Sequence, residues 1–122
     1  VHASLEDVAR FGWAHLQGER GQGSFLRPDT WKTLHQPLAD GPYACGLVAR
    51  PAPWSGAPAL WHNGTNTKWY AELWIVPSEG LVVATACNQF GPGKQAVEAA
   101  SLAAARAVLG LTQTQAPTSK EK

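Results

Sequence analysis

The sequence predicts an α+β fold: helices first, an antiparallel sheet next, and a long helix to close. Three observations carry that prediction. Apolar residues recur at helical spacing from Leu5 to Leu16, runs of strand composition separated by turn residues fill Tyr43 to Cys87, and an alanine-rich stretch ahead of Gly110 returns to helical spacing. With 122 residues, 44% apolar and 16% charged, the chain has the size and make-up of one globular domain.

The first helix is expected over Ser4 to Leu16. Ser4 stands three residues before Asp7, so its hydroxyl can cap an orphan N–H of the first turn. Leu5, Val8, Ala9, Gly12, Trp13 and Leu16 mark one buried stripe, while Glu6, Asp7 and Arg10 form a solvated face. Gly18, Gly21 and Gly23 are expected to end the helix. A second helix is expected from Pro28 to His35, with proline in its first turn and Pro37 behind it. Strands follow over 43–49, 59–65, 69–76 and 81–87. The loop Arg50 to Pro58 holds three prolines, and Pro77-Ser78-Glu79-Gly80 makes a tight turn. The last two strands are apolar on both faces, so each face needs a cover. One cover is the helix over 94–109, through Ala96, Val97, Ala100, Ala103, Ala104, Ala107 and Val108, with Gly110 as its stop. The body is thus 1–110, and 111–122 reads as a disordered tail.

Several function classes lose support at once. Ten basic against nine acidic side chains give a net charge of +1, without a Lys/Arg cluster, so no nucleic-acid partner is expected. No apolar run approaches the roughly 20 residues of a membrane span. His2, His15, His35 and His62 lack metal-ligand spacing, and no phosphate-binding glycine motif occurs, so neither metal nor cofactor is expected. Cys45 and Cys87 sit in apolar runs and are expected to be buried free thiols, with a single disulfide as the alternative. The six tryptophans are expected mainly in the core, with Trp69 and Tyr70 able to rim a cleft. The chain contains no methionine, which fits a fragment.

The densest polar cluster runs from Trp61 through His62-Asn63-Gly64-Thr65-Asn66-Thr67-Lys68 to Tyr70. Asn63-Gly64 can be a two-residue hairpin turn. Alternatively it lies on a strand edge, with the turn at Thr65 to Lys68; a glycine inside a strand often marks close approach by a ligand.

The run Leu60-Trp61-His62-Asn63-Gly64-Thr65-Asn66-Thr67, the Pro-x-x-Gly turn and the strand ending Ala86-Cys87-Asn88 resemble the C-terminal part of the serine β-lactamase-like superfamily, in its class C, DD-peptidase and esterase branch. Ala3 to Phe11, Phe25 to Trp31 and Tyr43 to Leu47 resemble further segments of that family in order and spacing, over about residues 3 to 110. The resemblance implies an acyl-enzyme hydrolase acting on a small-molecule or peptide acyl substrate, and a periplasmic or secreted location. His62-Asn63-Gly64 matches its Lys/His-x-Gly motif. By that match His62 stands beside the nucleophile's proton network or the substrate, Gly64 leaves room for substrate, and Thr65 offers its backbone N–H as an oxyanion donor. Asn63 and Asn66 become cleft-facing or turn residues, and Trp69, just past the turn, is expected on the substrate side as a cleft-rim residue.

Two family motifs are absent from the body. Ser-x-x-Lys occurs only as Ser119 to Lys122, and Tyr-x-Asn does not occur. The helical lobe that carries them is expected to be supplied by an N-terminal segment, and the chain alone is expected to be inactive, because oxyanion and binding groups leave only residual catalysis. A reading of a different class is a non-catalytic module that binds a protein partner through a Trp-rich sheet face.

Overall fold

A computed structural model describes residues 2–111; the expected tail falls almost wholly outside them. Three helices and five strands follow in the order α1 (Leu5–Glu19), α2 (Pro28–His35), β1 (Tyr43–Ala44), β2 (Leu47–Pro51), β3 (Pro58–Thr65), β4 (Tyr70–Val76), β5 (Leu81–Cys87) and α3 (Pro92–Leu109). The strands form one antiparallel sheet in sequence order. The α+β arrangement is therefore the one the sequence predicts. No helix among the described residues is long and apolar enough to cross a membrane.

The sheet is a two-sided core. On one face Leu47, Leu60, Leu73 and Ile75 meet Leu16 of α1. On the other, Ala59, Trp74, Val76, Leu81 and Val83 meet Trp54 and Ala105 of α3. Burying a side chain as completely as Ile75 contributes roughly 1.5–3 kcal/mol, so the doubly apolar strands require both helices. α3 covers part of the Trp-rich face. Trp31, Trp54 and Trp74 are buried, whereas Trp13 and Trp69 are about half exposed.

Local chemistry sets the ends of the elements. Ser4 Oγ accepts from Asp7 N–H at 3.1 Å and Asp7 Oδ2 accepts from Ser4 N–H at 3.3 Å, completing the capping box. After β4, Pro77–Glu79 make a single 3-10 turn closed by Gly80 at φ 64°.

The structure corrects four expectations. First, α1 runs through Gly18 to Glu19, because a Cβ on Gly18 would collide with the Trp31 indole and the glycine is there for packing. Second, residues 43–49 are two strands, broken at the exposed Cys45 and at Gly46, which takes φ 89°. Cys45 is therefore not buried, Cys87 is half-buried, and both are free thiols. Third, the inward face of α3 is Gly93, Val97, Ser101 and Ala105, not the alanines at 96, 100, 103, 104 and 107; Val108 is 72% exposed. Small residues surround this helix and carry no phase. The Thr85 Oγ1···Ser101 Oγ bond of 2.6 Å, and the room that Gly93 leaves for Cys87 Sγ where a Cβ would collide, set its rotation. Fourth, the buried stripe of α1 holds His15 in place of the half-exposed Leu5 and Trp13.

His15 is buried because it has a partner. His35 Nδ1 lies 2.5 Å from Glu19 Oε2, and His15 Nδ1 lies 2.8 Å from His35 Nε2; with both rings neutral, His35 Nδ1–H donates to Glu19 and His15 Nδ1–H to His35. Phe11 and Trp31 pack around the pair. Burial, and secondarily His35, push the His15 pKa from 6.5 down to about 4.

This packing is open to two measurements. Gly18→Ala gains about 1 kcal/mol of helix propensity yet displaces Trp31, so urea denaturation shows a net loss, about 2 kcal/mol or more. The other measurement concerns acid. His15 is neutral when folded and takes up a proton when unfolded, so its stabilisation is complete above pH 6.5 and is lost as pH falls toward 4. The stability advantage of wild type over His15→Asn, measured by denaturation at pH 7 and at pH 4, shrinks by roughly 3 kcal/mol.

Candidate active site

The β3–β4 hairpin builds the site. Its register pairs His62 with Leu73, Asn63 with Glu72, Gly64 with Ala71 and Thr65 with Tyr70. The reversal comes after Thr65: Asn66 Oδ1 accepts from Lys68 N–H at 3.2 Å and Trp69 N–H at 2.9 Å, and Thr65 Oγ1 accepts from Thr67 N–H at 3.0 Å. Asn63-Gly64 is therefore strand and not turn. The short asparagine side chain at 66 does the turning, through the Asx chemistry that makes this residue a turn former.

One side of the motif has no strand beside it. β2 pairs with β3 only from Pro58 to Trp61, so His62 to Thr65 pair with β4 alone. Alternation along β3 places His62 and Gly64 on the same face as Leu60, toward α1. Both line an open cleft of about 360 Å³ whose other walls include Leu5, Phe11, Leu47 and Leu73. His62 is exposed at its edge.

Gly64 has no structural reason to be glycine. Its φ is not positive, and a Cβ built on it would meet nothing within 4 Å. A strand glycine forfeits packing and backbone entropy. What it provides here is space on the cleft side of the strand.

The other residues expected at the site are placed differently. Asn63 also lines the cleft, but its side chain is turned to the opposite face, where its Nδ2–H donates to the Tyr70 hydroxyl at 2.8 Å. Tyr70 is 2% exposed and lies in the core, not on a rim. Asn66 is occupied in the turn, and Trp69 stands 57% exposed beside it, outside the cleft lining. The α1 wall of the cleft was not foreseen from the sequence. Phe11 falls three residues after Val8, a helical neighbour that a wider apolar stripe would have included. Among the described residues no cluster of three metal-ligating side chains occurs.

Residues 1–108 match the family model described as Beta-lactamase. The chain belongs to that family. No curated protein matches it. Membership places the chain among beta-lactamase-related hydrolases, and the match covers α1 and α2, the whole sheet and nearly all of α3.

The Asn63–Tyr70 bond fixes the back of the strand that presents His62 and Gly64. Tyr70→Phe removes its acceptor and costs about 1 kcal/mol in chemical denaturation, and a double-mutant cycle with Asn63→Ala returns a coupling of about the same size.

Proposed function

We propose that this chain supplies one wall of the active site of a serine hydrolase that cleaves amide or ester bonds through an acyl-enzyme. Nucleophile and base come from residues outside it. The observation that carries the reading is Gly64: a glycine that neither backbone nor packing demands, two residues from an exposed histidine, on a strand segment whose outer side is unpaired. An acyl substrate laid along that segment meets open space where a side chain would stand. Thr65 then contributes its backbone N–H as one of two donors to the developing oxyanion, a contribution of about 3–4 kcal/mol in such sites. His62 lies beside the reacting group, where histidine exchanges protons near neutral pH. The apolar side chains of Leu5 and Phe11 on the cleft wall give the acyl chain a surface to pack against.

The test reads the chain in its complete natural open reading frame. Ester and β-lactam substrates should give a mass shift on a serine of a Ser-x-x-Lys segment outside residues 1–122. Gly64→Val is expected to hold or raise the melting temperature, since valine suits a strand, while lowering kcat/KM about 100-fold or more. His62→Ala should lower kcat/KM with little change in stability. Full activity in Gly64→Val, or an open reading frame without a serine nucleophile segment, would overturn the reading.

A further inference from the structure

The sheet face opposite the His62 cleft carries a second concavity, a groove of about 300 Å³ between β2–β4 and α3. Its lining includes Arg50, Trp61, Glu72, Trp74 and Leu102. Glu72 is only 4% exposed. Its Oε2 accepts from Trp61 Nε1–H at 3.2 Å, but Oε1 is buried without a hydrogen-bond partner. Trp74 Nε1–H is likewise buried without an acceptor. A buried carboxylate oxygen that nothing satisfies is costly, so its retention beside a groove asks for a donor from elsewhere.

The second charge is Arg50. Its guanidinium lies 4.7 Å from the Trp61 ring centroid and 5.2 Å from that of Trp74, stacked on both indoles. Among the described residues neither Arg50 nor Glu72 has an ion-pair partner. The two charges are held apart by one ring: Trp61 turns its face to Arg50 and its N–H edge to Glu72. Glu98 also lines the groove, and pairs at 3.7 Å with Lys94.

We propose that this groove binds a small zwitterion of the amino-acid type. Its ammonium donates to Glu72 Oε1, its carboxylate meets the Arg50 guanidinium, and its apolar side chain lies against Trp74 and Leu102. One opposite charge for each unpaired residue, at a separation of one indole, matches a molecule that carries an ammonium and a carboxylate on one carbon. A lone cation would leave Arg50 unmatched, and a lone anion would leave Glu72 unmatched. The groove is bordered by α3 and the His62 cleft by α1, and Glu72 lines both.

The experiment titrates the full chain with leucine, with leucinamide (cation only) and with 4-methylpentanoate (anion only), following the Trp61 and Trp74 indole N–H resonances. Leucine should shift both saturably, and each singly charged analogue should bind about tenfold more weakly or less. Arg50→Gln, at an exposed position, and Glu72→Gln, checked for a native spectrum, should each weaken leucine by about tenfold. Arg50→Gln alone keeps the test decisive if Glu72→Gln fails to fold. No saturable shift up to the solubility of leucine overturns the proposal. So does equal binding of leucine and leucinamide, or a leucine-soaked crystal showing only water on Glu72 Oε1.

Discussion

The register of β3 against β4 governs how everything else in this molecule is placed. Side chains alternate along a strand, so a slip of one residue would turn His62 and Gly64 toward α3 and bring Trp61, Asn63 and Thr65 onto the α1 face. Both cores and both concavities would exchange their contents. The turn at Asn66 holds that register through three local hydrogen bonds. Apolar pairs such as Leu60 with Ile75 and Trp61 with Trp74 hold it from the other end.

With the register set, the two faces acquire different characters. The α1 face is aliphatic where it packs and opens into a cleft at its His62 end. The α3 face is aromatic and carries the buried polar groups Glu72 and Ser101 and the half-buried Thr85. Gly12 and Gly18 let α1 approach the sheet and α2 closely; a Cβ on Gly12 would meet Val82 at 2.7 Å. The Glu19–His35–His15 chain then links α1 to α2 through groups separated by up to 20 positions. It is a structural use of histidine, among residues that do not line the His62 cleft.

Much of this was legible from residue types. Strand composition located β3, β4 and β5 within a residue or so, and the Ser4 capping box and the Gly110 stop bounded the helices. The motif His62-Asn63-Gly64 was visible too, with its two conformations unresolved, because Asn-Gly is at once the best short turn and a tolerable strand edge. What resisted was phase and partnership. An alanine-rich helix is nearly as apolar on one side as on the next, so its pattern does not tell Ala100 from Ser101; the bond to Thr85 decides it. Two histidines with no shared spacing gave no hint that they meet.

The order and kind of the elements, and the family, could be read from the amino acids alone. These depend on local periodicity, turn chemistry and the order of short segments, all of which are written along the chain. Other features had to wait for the assembled molecule: that Gly18 belongs inside a helix, and that the Asn63 side chain bonds to Tyr70. So did the empty space in front of Gly64, and the groove that Arg50 and Glu72 share without touching. Each of these depends on which residues distant in sequence come within a few ångströms, and only the sheet and its two covering helices set those distances.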